Sequence, residues 1–158
     1  MTKTNKLIYF FITTLFFVLF DTYFSSYILK NLDILPQNEI MQFVSVQNTG
    51  AAFSILQNSR FFLITFSIIA IILVIMNLIK NINKTNTISI FWVAMLIAGI
   101  ICNTYERITL GYVRDFFHIN FINFPVFNIS DIFINVSVFA IVIIIIKYNY
   151  IKNNENNN

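Results

Sequence analysis

A bundle of four transmembrane helices carrying a small extracytoplasmic β-cradle is the fold class this sequence predicts, on three observations. Hydrophobic residues make up 58% of the chain and charged residues only 11%, against about a quarter charged in an average soluble domain. Four apolar runs each approach the ~20 helical residues needed to cross ~30 Å of hydrocarbon. Two of the polar connections between them show the two-residue alternation of strands. So much apolar surface exceeds what a soluble core can bury. The length allows one integral membrane domain, residues 1–158, rather than two.

The first span is expected over residues 7–29, with Asp21 as its one charge. Lys3 and Lys6 before it imitate a secretory signal peptide, but no small-x-small cleavage site follows and Asp21 is embedded in the run. In the connection 30–60, Val44 and Val46 share one strand face. The second and third spans, 61–79 and 88–105, carry no charge. In the connection 106–126, Phe117, Ile119 and Phe121 alternate with His118, Asn120 and Ile122, and Pro125 stops the run. The fourth span, 127–146, holds only Asp131. The asparagine-rich tail 153–158 is expected to be disordered.

Four spans put both termini on one side. That side would hold Lys3, Lys6, Lys80, Lys84, Lys147 and Lys152, opposed only by Glu155, which favours cytoplasmic termini. The net charge of +3 is thereby explained by orientation, and no nucleic-acid partner is expected. With one cysteine, Cys102, and one histidine, His118, the chain can form no intramolecular disulfide and no zinc site of the usual kind. Cys102 sits in an apolar run and reads as a buried, inert thiol. Neither a metal nor a cofactor is expected.

Ionisable groups within spans are costly and usually face a bundle interior or a polar cavity. Asp21, Glu106, Arg107 and Asp131 fall toward the outer ends of their helices in this orientation. Their spacing is informative. Gly99, Asn103 and Arg107 recur every four residues on one face, Asn128, Asp131 and Asn135 share another, and Asp21 and Ser25 are four apart. Glycine is scarce, with three residues where average usage near 7% would give about eleven. Each lies in a polar cluster: Gly50 after Asn48, Gly99 ahead of Arg107, and Gly111 ahead of Asp115. These backbones therefore need close approach or a positive φ.

Four stretches in order complete the pattern. They are Asp21 near the end of the first span; Asn48-Thr49-Gly50-Ala51-Ala52-Phe53-Ser54; Gly99-x3-Asn103-x3-Arg107 with Gly111-Tyr112-Val113-x-Asp115-Phe116; and Phe124-Pro125-x-Phe127-Asn128-x2-Asp131. Together they resemble the lipoprotein signal peptidases, the signal peptidase II family, over about residues 7 to 146. The resemblance implies an aspartic endopeptidase of the bacterial cytoplasmic membrane that removes signal peptides just before the diacylglyceryl-modified cysteine of prolipoproteins. It implies a catalytic dyad of Asp115 and Asp131. Asp21, Asn48, Gly50, Asn103, Arg107 and Asn128 fall at substrate-side or supporting positions. The implied partners are the prolipoprotein substrate and membrane lipid, and with no oligomerisation motif a monomer is expected.

The chain departs from the family pattern at Ser25, usually lysine, at Glu106, usually aspartate, at Cys102, where glycine is common, and at Ser130, where alanine is common. An Asp21 lacking that lysine calls for another partner, with Arg107 and Lys30 as candidates. Two neighbouring carboxylates resist double ionisation and share a proton, so they can activate a water and protonate a leaving amine without a metal. Rival membrane proteases lack support: there is no His-Glu-x-x-His helix, no Gly-x-Ser and no Gly-x-Gly-Asp. A catalytically degenerate relative or a small transporter or assembly factor is the alternative. An ion path would leave unexplained a carboxylate placed outside the spans.

Overall fold

The structure is a computed structural model that describes residues 1–50 and 56–156. Its elements in chain order are α1 (Lys3–Lys30), β1 (Met41–Asn48), α2 (Arg60–Asn81), α3 (Thr87–Thr109), β2 (Val113–Ile119) and α4 (Ile129–Asn156). All four helices are long and apolar enough to cross a membrane. The stretch Ala51-Ala52-Phe53-Ser54 singled out above lies outside the described residues.

Polar side chains set where the helices begin. Thr2 accepts the Asn5 N–H at the start of α1, and Asn86 accepts the Ser89 N–H at the start of α3, each satisfying a donor that has no intrahelical partner. The bundle is organised around α3, which contacts each of the other three helices. Its most apolar stretch is 56% buried, against 22% for α1 and α4 and 11% for α2. Exposed Phe11, Phe16, Phe62, Phe66, Leu73 and Phe139 give the other helices their lipid-facing sides.

Two apolar clusters divide the interior. One joins Phe17, Met95, Ala98, Ile129 and Phe133 to Phe116 of β2, fixing the sheet to the helices. The other joins Phe10, Leu78, Ile82, Ile90, Ala94 and Ile97 at the opposite end. There the Lys6 ammonium donates to the carbonyls of Ile82, Asn83 and Thr85 at 3.0, 3.2 and 2.7 Å. The N-terminus is thus tied to the α2–α3 turn.

Close approach at the centre depends on Gly99. A Cβ there would stand 2.7 Å from the Ser130 carbonyl oxygen and 2.9 Å from Ile134 Cγ1. The α3–α4 contact therefore needs a residue without a side chain, as small residues serve packed membrane helices generally. Gly111, at φ +92°, turns the chain from α3 into β2 in the left-handed region that glycine tolerates.

The two strands pair antiparallel, Val46 opposite Asp115 and Asn48 opposite Val113, with an irregularity between Phe43 and Val46. The second strand differs from the sequence expectation in extent. It runs from Val113 to Ile119, so Phe121 lies beyond it. Alternation is lost in its first half because Asp115 and its neighbour Phe116 are both buried. The fourth helix begins at Ile129 rather than at 127, since Phe127 exchanges backbone hydrogen bonds with Phe117 and extends the sheet. At the far end α4 continues through Asn156. Extending a formed helix adds one hydrogen bond per residue without a new nucleation cost.

Candidate active site

Asp115 stands in β2 and is 1% exposed; Asp131 stands in the first turn of α4. Both line one cavity of about 880 Å³, together with Asn48, Thr49, Arg107, Phe124, Phe127, Ile132 and Asn135. The strand brings the first carboxylate down onto the bundle, and the helix start brings the second up to meet it.

Asn128 joins them. Its amide nitrogen donates to Asp115 Oδ1 at 2.8 Å and to Asn103 Oδ1 at 3.1 Å. Its side-chain oxygen accepts the Asp131 N–H at 2.9 Å, while Asp131 Oδ2 accepts the Asn128 N–H at 3.1 Å. This reciprocal pair caps α4 as a capping box does. Every donor and acceptor of the Asn128 amide is used, so its orientation is fixed and both aspartates are fixed with it.

The remaining oxygens are held from other elements. Asn103 of α3 donates to Asp131 Oδ1 at 2.8 Å, and Asn48 of β1 donates to Asp115 Oδ2 at 2.9 Å. Asn48 is held in turn by accepting the Gly50 N–H at 2.9 Å. Arg107 donates to the Gly50 carbonyl at 2.7 Å and to the Asn103 carbonyl at 3.2 Å. It thereby ties the β1 end to α3 and brings a positive charge to the cavity wall. The Asp115 carboxyl is pushed up to about 7, first by burial and then by the neighbouring Asp131 charge, against the opposing effects of Asn48, Asn128 and Arg107.

Of the eight site residues read from the sequence, seven converge on this cluster: Asp115, Asp131, Asn48, Gly50, Asn103, Arg107 and Asn128. Asp21 does not. Its expected partners Arg107 and Lys30 are corrected by the geometry: Asp21 accepts from Ser25 Oγ at 3.0 Å and from Ser130 Oγ at 2.6 Å. Two of the arginine's nitrogens are taken by backbone carbonyls. Lys30 lies nine residues along the same helix, or roughly 13 Å at ~1.5 Å per residue. Two of the departures noted above, Ser25 and Ser130, therefore meet at one carboxylate. They link α1 to the residue preceding Asp131.

Ser130→Ala would leave one oxygen of a buried carboxylate without its donor. A loss of about 1–3 kcal/mol is expected, read as a lowered thermal midpoint in detergent together with slower cleavage. An unchanged midpoint and rate would show that α1 does not hold the α4 terminus.

Sequence reasoning also missed a clamp beside the site. Glu106 accepts the Arg114 backbone N–H at 2.7 Å and its Nε and Nη2 at 2.8 and 2.5 Å. Both guanidinium N–H groups meet Oε1 while Oε2 holds the backbone N–H, so the clamp closes the turn through Gly111 and fixes Arg114, the residue before Asp115. The signal was present in the eight-residue separation of opposite charges, but it only becomes a contact once the turn is known.

Comparison with known proteins places the chain in a family. A family model described as signal peptidase (SPase) II matches residues 13–147. A lipoprotein signal peptidase of Buchnera aphidicola subsp. Schizaphis graminum is 36% identical over 156 residues, covering 92% of this chain and 97% of the relative. One from Streptococcus agalactiae serotype Ia is 31% identical over 143 residues, covering 86% and 90%. A bacterial membrane enzyme solved by the in meso method at 2.3 Å superposes with a TM-score of 0.78 at 28% identity, covering 87% of each chain. With four spans, a two-stranded sheet and a family match over most of its length, this chain belongs to the signal peptidase II family of bacterial multi-pass membrane proteases.

Proposed function

We propose that this peptidase cleaves lipid-modified prolipoproteins before the diacylglyceryl-cysteine, using a water held between Asp115 and Asp131. The observation that carries the reading is the Asn128 amide, which joins two carboxylates at the wall of an 880 Å³ cavity. Water bound between the two loses a proton to the ionised member as it attacks the scissile carbonyl. The protonated member donates to the carbonyl oxygen; the member that took the water's proton then passes it to the leaving amine, and a hydroxyl proton of the tetrahedral intermediate returns to the dyad as the C–N bond breaks. Burial and the neighbouring charge raise Asp115 to about 7, so the pair keeps a shared proton near neutrality. The pair titrates as a unit. Arg107 and Asn48 stand where they can orient the peptide.

The lipid-modified cysteine enters sideways. Ile132 and Val136 on α4 continue the cavity wall away from the dyad, so acyl chains can remain in the bilayer during cleavage. The decisive experiment incubates the purified protein with a diacylglyceryl-modified prolipoprotein and measures product mass. The expected product begins at the lipid-modified cysteine. Cleavage at another bond, or equal cleavage of unmodified precursor, would overturn the reading.

The orientation proposed places both termini in the cytoplasm and the sheet outside. It is supported by the six lysines at the terminal end and by Lys6 bonded to the α2–α3 turn at that same end. In a Cys102→Ala background, an impermeant thiol reagent added from outside should label Gln37→Cys but not Asn83→Cys. The reverse pattern would invert the topology and place the dyad on the wrong face.

A further inference from the structure

We infer that the Asn135 amide binds an ester carbonyl of the substrate's diacylglyceryl group and so contributes to recognition of its lipid. The inference rests on the substrate reading given above. Asn135 lies one helical turn beyond Asp131, about 6 Å along the axis at ~1.5 Å per residue, on the side away from the sheet. It lines the same cavity as Asp115 and Asp131, with apolar Ile132 and Val136 beside it.

The residue is unusual for its position. It is exposed, within a span, on a helix whose other outward residues at this level are apolar. A free amide facing hydrocarbon costs several kcal/mol by transfer to an apolar solvent, so its presence calls for a polar partner. The backbone carbonyl of Asp131 takes one of its N–H groups at 2.8 Å, which fixes the side chain against the helix. Among the described residues the second N–H and the side-chain oxygen have no hydrogen-bond partner. A side chain held in place, with one N–H unused, therefore lines the cavity beside apolar Ile132 and Val136.

The chemistry of the substrate matches that arrangement. Its glyceryl group hangs from the cysteine sulfur, and the ester carbonyls lie a few bonds from the scissile amide on the membrane side. An ester carbonyl accepts hydrogen bonds and donates none. With the scissile amide at the dyad and the acyl chains directed into the bilayer, an ester falls at the depth of Asn135. Bulk phospholipids carry the same ester group, so the test must separate the two sources.

Two synthetic lipopeptide substrates of equal chain length, one ester-linked and one ether-linked, would be assayed in micelles of a detergent without esters. The wild type should show a KM about three- to tenfold lower for the ester, the range set by one net hydrogen bond. Asn135→Leu, and independently Asn135→Ala, should bring the KM for the ester up to that for the ether, collapsing the preference. Retention of the ester preference in both folded variants would overturn the inference and leave the proposed function standing. A wild type with no ester preference, whose KM rises only when diacyl phospholipid is added, would assign the amide to bulk lipid and overturn it as well. Failure of the wild type to cleave either substrate would overturn the proposed function, and the inference with it.

Discussion

Asp115→Asn and Asp131→Asn are each expected to abolish cleavage, leaving lipid-modified precursor uncut at normal enzyme levels. Loss of acid–base assistance alone costs roughly 10²–10⁴ in rate, and loss of the activated water adds to it. Strong chelators should leave the wild type active. Either mutant turning over near the normal rate, or reversible loss on chelation, would refute the dyad. The two variants should differ in one respect. Asp115 accepts an N–H on each of its oxygens, from Asn48 and Asn128, whereas asparagine offers only one acceptor. Asp115→Asn should therefore also lower stability, by about 1–3 kcal/mol.

The same carboxyl sets a pH dependence. Raised from 3.8 to about 7, Asp115 keeps in the folded state a proton that the unfolded chain has already released. Between those values the native state binds more protons, so stability falls as pH rises through the window. Cleavage should decline as pH rises through about 7, because the shared proton is lost. Removing the Asp131 charge, the second cause of the shift, should lower the Asp115 value, which isotope-edited infrared spectroscopy of Asp131→Asn can read.

Gly99→Val should be nearly as damaging by a different route. Even one added carbon would meet the Ser130 carbonyl oxygen at 2.7 Å, Ile134 Cγ1 at 2.9 Å and Phe133 Cβ at 3.2 Å. The first contact is backbone, so α4 itself must move, and it must move at the residue preceding Asp131. Overpacking of this kind costs about 1–3 kcal/mol, and valine adds two further methyl groups to the clash. A fall in thermal midpoint with loss of cleavage is expected, and Gly99→Ala should lie between. A stable, active Gly99→Val protein would mean that the two helices do not approach this closely.

The spans were legible because crossing a bilayer fixes a length, and uncharged runs of that length have few other uses in this chain. The site was legible in its stripes. Asn103 with Arg107 and Asn128 with Asp131 stand on single helical faces, and that spacing survives any uncertainty about how helices pack. What failed depended on contacts between distant segments. The alternation that marked Phe117 and Ile119 could not show that the strand begins at Val113, because Asp115 breaks the pattern by being buried where a strand of that polarity would expose it. The span expected over 127–146 includes Phe127 because it is apolar, whereas the helix proper begins at Ile129 because Phe127 is paired with Phe117. The partner of Asp21 could not be inferred from charge, since two hydroxyl groups hold it.

The bonds that define the centre span long stretches of chain: Asn48 to Asp115 over 67 residues, Asn103 to Asp131 over 28, and Asp21 to Ser130 over 109. Asp131, Asn128 and Ser130 all follow the other three helices in the chain. On the proposed dyad, hydrolytic capacity would be acquired only when α4 seats against α3 and α1. An assembly stalled with three helices inserted would lack Asn128 and Asp131, and with them the proposed dyad.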